Sequence, residues 1–179
     1  MIIGLTGLLA AGKGTIAKYL VDKYQAKTLR FSDPLRDAIK RFYHEPTREY
    51  MSHLGRFVRG EFGDDILIQT LLKDAANESA PIIILDGIRY FDEYEVLSNR
   101  DDFQMWAVDT EIKTRYERII KRDENPTDKK LTFERFTEQH NLETEVNTSK
   151  LMAKADVKFD NNGSLDELYK QVDEKVKTF

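Results

Sequence analysis

The stretch GLTGLLAAGKGT, residues 4–15, limits the possible fold more tightly than anything else in the chain. Gly7, Gly12 and Lys13 satisfy the pattern G-x-x-x-x-G-K, which here stands between a short apolar run, MIIGLT, and a stretch with helical apolar spacing, TIAKYLVDKY. A strand, a glycine loop and a helix in that order build a cradle for phosphate. The glycines let the backbone curl so that N–H groups point inward, the helix adds the positive end of its dipole, and Lys13 adds a mobile charge. Ala10, Ala11, Gly12, Lys13, Gly14 and Thr15 are therefore expected to line the phosphates of a bound nucleotide. Gly14 occupies the place where Ser or Thr usually offers magnesium a hydroxyl, so a metal would rely on phosphate oxygens, water and nearby carboxylates, with the Thr15 hydroxyl left for a phosphate oxygen.

The remaining pattern repeats the same alternation. AKTLRFSD predicts a second strand, followed at Asp33-Pro34 by a helix start with Asp33 as cap. Residues 47–77 read as helical, broken by Gly55, Gly60 and Gly63. Pro81 then opens IIILD, whose four consecutive apolar residues suit a central parallel strand buried on both faces. FQMWAVD and ADVKFD are two further strands, and Leu165, Leu168, Tyr169, Val172 and Val176 mark a last helix behind the turn NNGS. Strands alternating with helices imply a three-layer α/β/α fold with a parallel central sheet, and ligands in such sheets gather at the carboxyl ends of the strands.

With those segments in place, the chain resembles the adenylate kinase family of nucleoside monophosphate kinases. GKGT is that family's form of the loop. SDPLRDAIK resembles the segment in which an Asp opens a helix and an Arg holds the acceptor phosphate, and Asp33 and Arg36 match. ILDGIR resembles the stretch after the central strand, where Asp86 matches a carboxylate near the magnesium and Arg89 a second acceptor arginine, although the proline usual before that arginine is missing. RYERIIKRD resembles the helix leading into a mobile lid, with Arg118 and Arg122 matching the arginines that close over the transferred group. The resemblance implies a single P-loop kinase domain over residues 1–179, with an acceptor-binding insertion at about 33–77 and a short helical lid at about 122–149. It further implies ATP as phosphoryl donor, Mg2+ held through water by Asp86 and Asp33, and Lys13, Asp33, Arg118 and Arg122 as the catalytic group. Asn161, Asn162 and Gly163 stand where the superfamily's loop touches the base. Arg59 is the third candidate for acceptor binding, although Arg59 and Arg115 are read first as solvated or snorkelling charges.

The alternative within the enzyme class is dephospho-CoA kinase, which RYERIIKRD and AKADVKFDNNGSLDELYKQV also resemble, and in which Asp33 would face a sugar hydroxyl. A regulatory GTP-binding switch would require an Asn-Lys-x-Asp string, which does not occur. Net charge of −4 over 179 residues argues against a nucleic-acid partner and for small anionic substrates. The chain has no cysteine, no apolar run of membrane-spanning length and no secretion signal at its start, so a cytoplasmic monomer or small homo-oligomer is expected. His44, His53 and His140 lack metal-ligand spacing and are expected to serve surface or packing roles.

Overall fold

A computed structural model describes residues 1–121, 131–138 and 143–178. Its centre is a five-stranded, wholly parallel sheet of β1 (Ile2–Thr6), β2 (Lys27–Arg30), β3 (Ile83–Asp86), β4 (Phe103–Asp109) and β5 (Val157–Asp160), in the order β2-β3-β1-β4-β5. All five strands fall on the segments expected from sequence. After β1 the chain runs to one edge of the sheet, and after β3 it crosses over β1 to build the other, so the strand order reverses about β1. That reversal opens a crevice at the strands' carboxyl ends.

Two apolar layers sandwich the sheet, and alternate strand residues feed each. Ile3, Leu5, Ile82, Ile84, Trp106 and Val108 pack beneath α1 (Lys13–Tyr24) and α9 (Leu165–Val176). Ile2, Ile83, Leu85 and Met105 face the opposite layer of α2 (Asp33–Arg41), α4 (Ile66–Ala76), α5 (Phe91–Ser98) and α8 (Glu143–Ala153). Burial on both faces is why IIILD has no polar alternation. Gly4 lies at the middle of β1, where any Cβ would collide with the Ile88 side chain and the Phe103 ring, so the bare backbone here lets the loop after β3 sit down on the sheet.

Two local expectations need correction. The helix α3 (Arg48–Phe62) runs straight through Gly55 and Gly60 and stops only at Gly63, whose φ of 103° no side-chain-bearing residue adopts readily. At Gly55 a Cβ would press on Leu35, so that glycine serves the packing of α3 on α2 and does not end the helix. At the start of α2 it is Ser32 that precedes the helix, while Asp33 is its first residue and accepts a hydrogen bond from the Arg30 N–H at 3.0 Å. Helix α5, which has no strong periodic signal, follows the β3 loop directly. Of the expected lid, α7 (Phe133–Glu138) and the start of α8 are helical, α6 (Ile112–Lys121) stands before it in the chain, and Arg122 and His140 lie outside the described residues. Among the described residues no helix is long and apolar enough to cross a membrane.

Candidate active site

The loop between β1 and α1 takes the cradle form. Gly12 stands at the head of α1 with φ 107°, in left-handed conformation, and Ala10 adopts φ 62° just before it. A side chain at Gly12 would strike the amide of Asn161 as well as strain the backbone, so two independent demands fall on that glycine. Lys13 folds back over the loop and donates from Nζ to the Gly7 carbonyl at 2.5 Å and the Leu8 carbonyl at 3.3 Å. Around Gly14 there is open space, so packing does not explain the missing hydroxyl.

Behind the loop lies a scaffold in which the sequence reading did not name Thr110 and read Arg115 and Asn161 in other roles. The Ala11 carbonyl accepts two hydrogen bonds, from Thr110 Oγ1 at 2.9 Å and Asn161 Nδ2 at 2.7 Å. Thr110 and Asn161 each directly follow a strand end, of β4 and β5, and each is 3% exposed. Arg115 is equally buried, contrary to the expectation of a solvated charge. Its Nε donates to the Thr110 carbonyl at 2.9 Å, one terminal nitrogen reaches the Leu9 carbonyl at 3.3 Å, and its guanidinium lies 5.6 Å from the Phe136 ring centre. Arg118 donates to the Asn161 carbonyl at 2.8 Å. On α6, Arg115 and Arg118 thus grip the loop and its neighbours through backbone carbonyls. Asn162 stands exposed beyond this scaffold, accepting from the Glu111 N–H at 2.8 Å and donating to the Asp160 carboxylate at 2.6 Å, with Gly163 next to it.

On the other side of the loop, strand register sets Asp86 beside Leu5 of β1 and beside Arg30 of β2. Arg30, not singled out in the sequence, connects the two candidate carboxylates: its N–H bonds Asp33 and its Nε lies 3.6 Å from Asp86. Beyond Asp86 the backbone is pinned residue by residue. The Gly87 N–H donates to the Leu5 carbonyl at 3.2 Å, the Ile88 carbonyl accepts from Thr6 Oγ1 at 3.3 Å, and the N–H groups of Arg89 and Tyr90 both donate to Glu93, at 3.1 and 3.2 Å. The Arg89 side chain is exposed, Arg36 is half-buried in the first turn of α2, and Arg59 is turned inward to an ion pair with Glu93 at 3.0 Å. The expectation of a solvated Arg59 is thereby corrected. Burial pushes the Glu93 carboxyl above its ordinary range, while the Arg89 N–H and the Arg59 guanidinium pull it back.

Among the described residues no three His, Asp or Glu side chains gather as a metal cage. Two carboxylates beside a phosphate cradle do suit a magnesium ion that keeps its waters and takes its remaining oxygens from a nucleotide.

A parallel sheet in the order 2-3-1-4-5, with a lysine-bearing glycine loop after its central strand, defines a P-loop kinase fold. The chain belongs to the AAA domain family, whose model matches residues 6–135. Similar proteins span its whole length. A UPF0200 protein from Staphylothermus marinus is 30% identical over 94% of this chain and 87% of its own, and one from Sulfurisphaera tokodaii is 28% identical over 98% and 96%. A dephospho-CoA kinase from a Nostoc species is 29% identical over 96% of this chain and 94% of its own. The fold is shared with shikimate kinase from Bacteroides thetaiotaomicron at a TM-score of 0.67, with 16% identity over 99% of this chain and 97% of that one.

Proposed function

We propose that the protein is an ATP-dependent phosphotransferase that moves the terminal phosphoryl group to a nucleoside or deoxynucleoside monophosphate through magnesium. The observation that carries this reading is the pairing of a glycine-loop cradle with Asp33, Asp86, Arg36 and Arg89 along the neighbouring strand ends.

Phosphoryl transfer asks for alignment and positive charge around the moving group more than for covalent help. In this reading Lys13 leaves the carbonyls of Gly7 and Leu8 for the donor's outer phosphates, and the N–H groups of residues 10–15 take the inner ones. Arg118 of α6 and Arg122 act on the transferred group, and closure of the lid would exclude water and suppress hydrolysis. Arg36 and Arg89 grip the acceptor phosphate, since a planar guanidinium matches phosphate oxygens in pairs. Magnesium, when bound, would neutralise the phosphate oxygens while Asp33 and Asp86 hold its waters.

The Nostoc relative favours a second reading, transfer to a sugar hydroxyl as in dephospho-CoA kinase. The two differ in what Asp33 does. A phosphate monoester is already anionic at pH 7 and needs no base, whereas a hydroxyl must lose its proton, and Asp33 would take it.

The test is ADP release with Mg-ATP against AMP, CMP, UMP, GMP, their deoxy forms and dephospho-CoA, with Lys13→Ala as control. Turnover on a monophosphate, lowered about 10²-fold or more in Lys13→Ala, supports the first reading. Turnover on dephospho-CoA alone moves the assignment to the second, and hydrolysis indifferent to every acceptor overturns both.

A further inference from the structure

Glu93 is the most deeply buried carboxylate among the described residues, with its side chain 1% exposed, and no part of the proposed chemistry uses it. Its two oxygens divide their partners cleanly. Oε2 accepts from the N–H groups of Arg89 and Tyr90, the last residues before α5, and Oε1 accepts from Arg59, which comes from the last turn of α3. The Arg59 guanidinium also lies 4.7 Å from the Tyr90 ring centre. One carboxylate thus ties three segments together: the loop after β3, the start of α5 and the acceptor-side helix α3.

As a stabilising device this arrangement is inefficient. Removing both charges from water is costly, and Arg59 Nε is buried with no hydrogen-bond partner. What the arrangement does achieve is order. With Gly87 and Ile88 already bonded to β1, the Glu93 contacts complete an unbroken run of four backbone-anchored residues, 87 to 90. From the middle of that run rises Arg89, exposed, its guanidinium making no hydrogen bond to any described residue. A free guanidinium on a fixed backbone loses little freedom on meeting an anion, which is the preorganisation that raises affinity without adding a contact.

We infer that Glu93 is a positioning residue for the acceptor: it fixes the backbone from which Arg89 projects and couples that backbone to α3 through Arg59. The inference rests on the reading of Arg89 as an acceptor-phosphate ligand. Any acceptor bearing a phosphate on adenosine would feel it, and the donor would not.

Calorimetric titration with AMP and, separately, with dephospho-CoA tests it on the wild type, Glu93→Gln, Arg89→Ala and the double variant, alongside titration with ATP and amide exchange of residues 87–90. Glu93→Gln should weaken acceptor binding about tenfold, leave ATP binding within about twofold, and add nothing once Arg89 is alanine, since the two act as one unit. Amide exchange at Arg89 and Tyr90 should rise in the same variant. Arg59→Met, which breaks the other half of the link and keeps the stem, should reproduce the acceptor effect at smaller size. Additive losses in the double variant, equal losses of ATP and acceptor binding, or unchanged exchange at Arg89 and Tyr90 would each overturn the inference. Acceptor binding indifferent to Arg89→Ala would instead strike the assignment of Arg89, and the exchange measurement would still decide whether Glu93 clamps the loop.

Discussion

The two sides of the crevice, which the proposed function gives to donor and acceptor, are built on opposite plans. Behind the glycine loop, the carbonyls of Leu9 and Ala11 are held by Thr110, Arg115 and Asn161, all buried. Across the sheet, α2 and α3 enclose an open apolar groove of about 410 Å³ lined by Ile39, Phe42, His44, Tyr50, His53, Leu54 and Phe57, of which Phe42 and Phe57 are 73% and 59% exposed. Such a contrast follows from the ligands the two sides would meet. A triphosphate presents the same oxygens whatever its base, so its cradle can be finished in advance, whereas an acceptor has shape and must be enclosed by surfaces left uncovered until it arrives.

The comparison predicts unequal responses to substitution. Asn161→Ala withdraws one of two donors from a buried carbonyl and should destabilise the fold by about 1–3 kcal/mol while raising the KM for ATP. Phe57→Ser, in the open groove, should change stability by no more than about 0.5 kcal/mol and act on acceptor KM alone. Equal losses of stability in urea denaturation of the two variants would break the comparison.

A smaller effect concerns pH, and its sign differs between the sides. Burial raises Glu93 above the ordinary carboxyl range, so the folded chain holds that proton more tightly than the unfolded one, and the contribution to stability declines as pH rises from the usual Glu value through the raised one. Asp173 on α9 behaves oppositely. Partial burial pushes it upward, but Lys23 and the hydroxyls of Tyr19 and Tyr24 on α1 outweigh this and hold it low, so its contribution is complete above the usual Asp value and is lost as pH falls through the lowered one. Thermal melts from pH 3 to 7, compared with Glu93→Gln and Asp173→Asn, should show the two slopes removed separately. Both variants flattening the same limb of the curve would contradict this.

The smallest effect belongs to Gly14. Open space around it predicts that Gly14→Ser leaves stability within about 1 kcal/mol and lowers the magnesium concentration needed for half-maximal turnover, as the new hydroxyl reaches toward the metal. An unchanged magnesium dependence would place the metal away from the head of α1.

How far the sequence could be read depended on the range over which its residues act. β1, β3 and β4 announced themselves because strands buried on both faces leave unbroken apolar runs, and the cradle did because glycine, lysine and helix are neighbours in the chain. The bonds of Thr110, Arg115 and Asn161 were illegible for the opposite reason: they run to loop carbonyls 99, 106 and 150 residues away, and a carbonyl has no letter in the sequence. The rule that drew attention to Asp86 at the end of β3 applies equally to the loop after β4, but it points to a strand end and not to a bond, so Thr110 went unnamed and Asn161 was read as a neighbour of the base. Gly55 and Gly60 were misread because a helix held on both sides by partners tolerates the propensity cost of glycine, which a local pattern counts as a break.

The bare backbone at Gly4 has a consequence for how such a chain can vary. Ile88 and Phe103 occupy the space a side chain there would need, and Ile88 immediately precedes the arginine assigned to the acceptor. Positions 4, 88 and 103 therefore share a single allotment of volume and can drift only together: a relative with alanine at the first must make room at both of the others, or else shift its arginine loop and with it the molecules it would accept.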